Sequence, residues 1–360
     1  YIEGMVDSIK GNYLFDTGAH NLYFDQVFYD ESGIKFSEVS KGIIGGAGTG
    51  KESVPLIMDK VSVDIDPFGT YTTSMVPVLK LKEILGDFVD GILGLDLFYE
   101  SILEINYEDK YMKTYNSIDS IDLSGYKKIP ISIEKRRLYI PLEVQVNDEL
   151  RVKGEFLLDL GAGGSISFTS PTANKYQMEK MKNPKARYYT KYGGVGGEGE
   201  SYSFQGNGVD IAGFSLDTVA MGFSLNKEGA LSSERHSGLV GNKVFKNFHL
   251  VLDFINRNLY LKPNSSFGTD LGKESSLGFS FTNRSKTLQA WMVTGMYVDS
   301  NAEKSGLKID DHITHVNGKT VLDVPFGEEN KLFEGKESVE LVVVRNENET
   351  LTIRFDKKDV

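Results

Sequence analysis

Two aspartates carry the strongest chemical signal in this chain. Asp16 stands in Gly11-Asn12-Tyr13-Leu14-Phe15-Asp16-Thr17-Gly18-Ala19, and Asp159 in Gly154-Glu155-Phe156-Leu157-Leu158-Asp159-Leu160-Gly161-Ala162, an offset of 143 residues (159 minus 16). Each is delivered by an apolar, strand-like run into a turn built on Gly18 or Gly161, where a side chain would block the backbone path. Two such loops facing each other across a pseudo-twofold axis would hold two carboxylates close enough to share one proton, since like charges at that separation resist ionising together. One carboxylate can then activate water while the other protonates a carbonyl oxygen.

The elements that must position this pair are themselves duplicated. Gly42-Ile43-Ile44-Gly45-Gly46-Ala47-Gly48 is echoed by Tyr192-Gly193-Gly194-Val195-Gly196-Gly197-Glu198-Gly199. Gly91-Ile92-Leu93-Gly94 is echoed by Gly238-Leu239-Val240-Gly241, each with a Phe four residues on, at Phe98 and Phe245. Leu103-Glu104-Ile105-Asn106-Tyr107 then lies over Leu250-Val251-Leu252-Asp253-Phe254, at an offset of 147 (250 minus 103). Three collinear blocks indicate an internal duplication. The offset of 143 places Tyr1 over Val144 inside the alternating run Ile140 to Val146, so the first half is expected to lack the start of its first strand through N-terminal truncation.

These motifs resemble the retropepsin-like aspartic peptidases of the pepsin clan. Asp16-Thr17-Gly18-Ala19 is similar to the family's active-site motif. Ile44, Gly45, Gly46, Ala47 and Gly48 resemble one substrate-covering flap, and Gly194, Val195, Gly196 and Gly197 the other. The Gly91 to Gly94 and Gly238 to Gly241 blocks resemble the apolar-apolar-Gly segments behind the active-site loops. The resemblance covers residues 1 to about 262. It implies Asp16 and Asp159 as catalytic residues and Thr17, Gly18, Ala19, Leu160, Gly161 and Ala162 as loop support. It further implies water-mediated attack without a covalent intermediate, no metal or other cofactor, and a polypeptide substrate extended in a cleft between the lobes. Leu160 departs from the pattern, because the family has Thr or Ser there to tie the two loops together.

The fold class expected is mainly β: two pseudo-symmetric retropepsin-like β-barrel lobes, at 1–125 and 126–263, followed by a PDZ-like α+β domain at 272–360. Residues 113–138 read as the connection between lobes, and Pro263 to Ser276 as a turn-rich linker. Within the third domain, Ala302 to Ser305 is expected as a short helix capped by Ser300 or Asn301, Asn317-Gly318 as a hairpin turn, and Glu328 to Phe333 as a second helix. Val339 to Val344 and Leu351 to Phe355 form a terminal hairpin. Leu277-Gly278-Phe279-Ser280 resembles a PDZ carboxylate-binding loop, which implies an added peptide strand or a protein C-terminus as a partner. Such a domain can equally serve as a structural module packed against the peptidase.

Composition narrows the field. Forty Lys and Arg against 51 Asp and Glu give a net charge of −11, which repels phosphate backbones and argues against nucleic acid. With no cysteine there is no disulfide, thiol nucleophile or thiolate metal site. His312 and His315, three apart on a strand, point to opposite faces and make a poor metal pair. Gly45 to Lys51 nearly spells a phosphate-binding loop, but Glu52 occupies the place of the Mg²⁺-binding hydroxyl and Pro55 disfavours the helix that should follow. No nucleophile elbow is present, and Trp291 reads as a packing residue. No apolar run is long enough to span a membrane. The missing start, with the family resemblance, suggests an extracytoplasmic location in a bacterium, in periplasm or cell envelope. The function expected is an aspartic endopeptidase. The competing reading, motivated by Leu160, is a catalytically silent peptide-binding protein with a PDZ module.

Overall fold

In the computed structural model, which describes residues 1–269, 271–272, 277–346 and 348–357, the chain is mainly β. Alternation explains the outer strands. Val61–Ile65 reads Val-Ser-Val-Asp-Ile, and its three apolar residues are buried while Ser62 and Asp64 face solvent, as a sheet covered on one face requires. Ala290–Tyr297 is buried at every position, the signature of a strand covered on both faces.

The two lobes repeat one topology. Ile9–Phe15 runs parallel to Gly91–Leu93 with Tyr13 opposite Gly91, and Arg151–Asp159 runs parallel to Gly238–Gly241 with Phe156 opposite Gly238. The middle strands are in turn flanked antiparallel by Leu22–Asp25 and Ile166–Phe168. After these come short helices at equivalent places, Gln26–Glu31 capped by Asp25 and Ser170–Lys175 capped by Thr169. Fully buried aromatics such as Phe24, Phe156 and Phe168 fill the lobes, each worth about 1.5–3 kcal/mol of burial.

Between the lobes lies a five-stranded sheet ordered Tyr111–Tyr115, Ile102–Asn106, Phe248–Asp253, Asn258–Pro263, Lys127–Pro130. Its centre displays the pseudo-twofold directly. Glu104 sits opposite Val251, its own repeat partner at 147 residues' distance (251 minus 104), while Leu103 faces Leu252 and Ile105 faces Leu250. A self-paired position of this kind lies on the symmetry axis. One hydrophobic cluster, from Phe15 and Phe98 through Phe156 and Leu250 to Leu271, runs across both halves.

Two sequence expectations change here. Ile2 pairs with Tyr13 as Ile140 pairs with Phe156, so the structural equivalent of Tyr1 is Tyr139, not Val144. Val6 and Ile9 correspond to Val144 and Val152, so the seven residues 145–151 of the second hairpin stand where the first has only Asp7-Ser8, and this insertion of five (7 minus 2) shifts the alignment of the strands before it. The stretch 113–138 is also more than a connection. It holds Lys127–Pro130, which completes the interlobe sheet, and Ser132–Glu134, which pairs with Arg137–Gln145.

The segment after residue 277 has a separate core around Phe279, Trp291, Val293 and Phe355, with Trp291 fully buried and stacked on Phe281. Ser300 caps the helix Asn301–Lys304, Asn317-Gly318 turns the chain between His312–Val316 and Lys319–Thr320, and Ser338–Arg345 pairs with Glu349–Asp356. Glu328 to Phe333 supplies only a 3₁₀ turn, Glu329–Leu332, without a side-chain cap. Set between left-handed Gly327 and Gly335, the stretch closes three-residue bonds, Lys331 N–H to the Glu328 carbonyl at 2.9 Å and Phe333 N–H to that of Asn330 at 3.0 Å, in place of α-helical ones. Positions 270 and 273–276 of the expected linker, and 347 and 358–360, lie outside the described residues.

This C-terminal sheet is continuous with that of the second lobe. Ala186–Thr190 pairs antiparallel with Ala290–Tyr297, Tyr188 opposite Tyr297 and Thr190 opposite Gly295.

Candidate active site

Asp16 and Asp159 stand at the ends of the equivalent strands Ile9–Phe15 and Arg151–Asp159. The Asp16 amide continues the parallel ladder by donating to the Leu93 carbonyl at 3.0 Å, and Asp159 lies in register with Gly241. Each loop folds back on its carboxylate: Gly18 N–H donates to Asp16 Oδ1 at 2.7 Å, and Ala162 N–H to Asp159 Oδ1 at 2.9 Å. Beyond the loops, Leu95 N–H donates to the Ala19 carbonyl at 3.1 Å and Asn242 N–H to that of Ala162 at 2.8 Å, so the apolar-Gly segments support both loops alike.

The glycines serve the opposite aspartate. A methyl group on Gly18 would sit 2.8 Å from Asp159 Oδ2, and one on Gly161 would sit 2.5 Å from Asp16 Oδ1. Neither glycine has a left-handed φ, so close approach, not conformational freedom, demands glycine here. The two carboxyls are thereby brought side by side.

Asp16 and Asp159 are half-buried as residues, while packed protein atoms remove most of the hydration of their carboxyls. Burial, then the neighbouring Asp159 charge, pushes the Asp16 carboxyl well above the usual carboxylate range, despite amide donors at Gly18 and Ala19. Burial also raises Asp159, with its amide donors, its bond to Asp16 and the positive charge of Arg137 pulling the other way. The pair therefore holds one proton far above the pH at which an isolated aspartate loses its own.

Thr17 ties the loops together from one side. Its buried hydroxyl donates to the Leu158 carbonyl at 2.8 Å and accepts from the Leu160 amide at 2.8 Å. Leu160 returns no such bond, and its side chain is buried in the cluster that spans the halves. The symmetric lattice is thus half polar and half hydrophobic.

The two glycine segments meet each other. Val39–Gly45 and Lys51–Ile57 form one hairpin, Ala186–Thr190 and Gly199–Ile211 the other. At the tips Gly48 N–H donates to Val195 O at 3.0 Å, Thr49 N–H to Glu198 O at 3.1 Å and Gly50 N–H to Gly196 O at 2.7 Å. Gly46 takes part through its carbonyl, which accepts from the Ala230 amide at 2.9 Å, and a Cβ on Gly46 would collide with Val195. Ala47 packs against Gly194. Gly197 turns its own loop, donating to Gly194 O at 3.0 Å, while Gly45 pairs with Lys51 at the last rung before the hairpin tip. Ile44 and Val195 join Ala19 and Tyr23 around an apolar cluster that includes Leu81 and Ile92.

Several residues at the site had no sequence signal as site residues. Tyr23, two positions before the helix cap Asp25, lies near Asp16, and burial together with that charge pushes its phenol up to about 12. Arg137, whose backbone pairs with Glu134 at the start of its strand, has its guanidinium within electrostatic reach of Asp159, Tyr23, His20 and His236, and that side chain makes no ion pair or hydrogen bond among the described residues. Glu52, read in sequence only as the residue that spoils a phosphate loop, accepts from the Gly196 amide at 3.2 Å across the flap contact. No repeat or motif marks these three, because they enter the site from elements whose packing places them there.

The loop Leu277-Gly278-Phe279-Ser280 sits at the start of Phe279–Arg284. Leu277 and Phe279 are buried in the C-terminal core, Gly278 has φ +76° and accepts from the Tyr297 amide at 3.0 Å, and Ser280 Oγ lies 2.6 Å from the Tyr188 hydroxyl. Among the described residues no group of three His, Asp or Glu gathers in a way that could hold a metal, and no helix is long and apolar enough to cross a membrane.

No protein-family model matches the chain, and no curated protein sequence matches it. Among solved structures, the crystal structure of a retropepsin-like aspartic protease from Rickettsia conorii is similar, at 24% sequence identity over 38% of this chain and 98% of that one, with a TM-score of 0.28.

Proposed function

We propose that this chain is an aspartic endopeptidase of the retropepsin-like kind, with Asp16 and Asp159 as its acid–base pair. The observation that carries the reading is the mutual packing of the two loops, each glycine α-carbon against the other loop's carboxylate. In this reading the pair enters the reaction sharing one proton. The ionised carboxylate takes a proton from a water held between the two, the resulting hydroxide adds to the peptide carbonyl, and the protonated carboxyl supplies the proton to the carbonyl oxygen. Collapse of the tetrahedral adduct, with proton transfer to nitrogen, releases amine and acid. No covalent enzyme intermediate and no cofactor take part. The flaps cover an extended substrate, and the apolar wall around Ile44, Ala19 and Val195 favours hydrophobic side chains beside the scissile bond.

The C-terminal segment is read as a PDZ-like domain, with Leu277 to Ser280 as its loop. The competing reading, a silent protease-like cleft that binds peptide without cutting it, is favoured by one observation, Leu160 in place of a lattice hydroxyl. One experiment separates the two. The full chain is assayed against an unfolded protein and a broad peptide library from pH 4 to pH 8, alongside Asp16→Asn and Asp159→Asn. Cleavage lost in both variants supports the peptidase, whereas binding without cleavage by the folded protein supports the silent cleft.

A further inference from the structure

The flaps belong to a closed circuit of contacts that passes through the C-terminal domain. From lobe one, the segment after the short helix Leu81–Leu85 reaches onto the edge strand Phe279–Arg284. Asp87 N–H donates to Asn283 O at 2.9 Å, and the Asp87 carboxylate, fully buried, accepts from Arg284 Nε at 2.9 Å, Lys286 N at 2.9 Å, Thr287 N at 2.8 Å and Thr287 Oγ1 at 2.8 Å. Phe88 stacks on Phe326 at 4.2 Å beside this cluster. From strand Phe279–Arg284 the sheet passes through Ala290–Tyr297 to the flap strand Ala186–Thr190.

That strand is fastened along its whole length. Val298 N–H donates to Arg187 O at 2.8 Å, Thr190 Oγ1 to Thr294 O at 2.8 Å, and the Tyr188 hydroxyl covers Gly295. Lys191 and Tyr192 both hold Asp310, at 2.6 and 2.8 Å. The next residues, Gly193 to Gly197, are the flap tip that hydrogen-bonds to the tip of lobe one. Lobe one, C-terminal domain, second flap and first flap therefore close a ring.

We infer that the C-terminal domain is a latch on the cleft. The second flap cannot swing without either breaking its strand pairing or carrying the domain with it, and the domain is anchored to lobe one at Asp87. Breaking a buried carboxylate that satisfies four donors at once is the costly step, so the Asp87 cluster controls how often the flaps part. The same strand edge is where an extended peptide would add to this sheet. The segment Gly86–Asp87 already occupies it at Asn283, where Gly86 adopts φ +93° and a Cβ would strike the Asn283 carbonyl. A peptide partner of this domain must displace lobe one, and so releases the flap.

This inference concerns access to the cleft whose peptidase reading is given above, but its test does not depend on cleavage. Amide hydrogen exchange is followed in wild type, in Asp87→Ala and in Phe88→Cys/Lys286→Cys joined by a short thiol-reactive linker. The last pair suits linking because Lys286 Nζ lies 4.2 Å from the Phe88 ring centroid and the chain has no other cysteine. Asp87→Ala should speed exchange at least about tenfold in residues 279–284 and equally in the flap, 186–200, leaving 151–159 unchanged. The linker should slow flap exchange below that of the unlinked double variant. Faster exchange confined to 279–284, or a linker without effect on 186–200, overturns the latch. If Asp87→Ala does not fold, the linked pair decides alone. Should the protein also cleave peptides, kcat/KM should rise in Asp87→Ala and fall on linking, while absence of all cleavage sinks the peptidase reading and leaves the latch to the exchange data.

Discussion

The hydroxyl of Thr17 bridges the two aspartate loops from one side: it accepts from the Leu160 amide and donates to the Leu158 carbonyl, both at 2.8 Å, and the Leu160 side chain has no oxygen with which to answer. The dyad is thus tethered asymmetrically, polar on the first loop and hydrophobic on the second.

Thr17→Val keeps the shape and removes both bonds, leaving a buried amide and carbonyl without their partner. We expect it to lower unfolding free energy by about 2–3 kcal/mol in urea titration. Thr17→Ser retains the hydroxyl and should cost only about 0.8 kcal/mol for the lost methyl. Equal costs would mean that the bridge contributes nothing.

Gly161→Ala and Gly163→Ala separate close approach from backbone entropy. A Cβ on Gly161 meets the Asp16 carboxylate, whereas one on Gly163 meets nothing within 4 Å. Gly161→Ala should reduce kcat/KM for any cleaved peptide at least about a hundredfold, since displacing the reacting groups by an ångström is that expensive. Gly163→Ala should leave it unchanged.

The raised dyad carries a pH signature in stability. A carboxyl that binds its proton more tightly folded than unfolded is free of penalty below the unfolded value near 4, and costs stability as pH rises through the folded value, about 8 for Asp16. Asp16→Asn cannot lose that proton. Its Tm should match wild type near pH 4 and exceed it increasingly toward pH 8, as measured by calorimetry. A difference independent of pH would show that the carboxyl is not raised.

Burial raises Asp159 and the Arg137 charge opposes it in part, so removing that charge should move the dyad's proton affinity further upward. In Arg137→Gln the acidic limb of the pH profile of kcat/KM should shift to higher pH, while Arg137→Lys should stay close to wild type. A lower rate with an unmoved profile would assign Arg137 to substrate contact instead.

Much of this protein is legible in its residues. The paired Asp-x-Gly loops, the Gly-apolar-apolar-Gly strands and the glycine-rich hairpins stand in one order twice, because short-range periodicity and turn chemistry are written locally. Spacing alone sets Tyr1 over Val144 where the structure matches it to Tyr139, since the longer turn of the second hairpin is an insertion that spacing does not reveal. Leu160 was legible as an exception, but its burial in the core was not.

What the sequence by itself determined is the duplication, the identity of the two aspartates and the strand-and-turn grammar of each half, all consequences of local pattern. Only the tertiary structure decided that Glu104 and Val251 share the axis, that Gly18 and Gly161 make room for each other's carboxylate, that Arg137 stands near Asp159, and that Asp87 anchors the domain holding the second flap. Each of these joins residues far apart in the chain, and such meetings are set by how whole sheets pack, which no local spacing encodes.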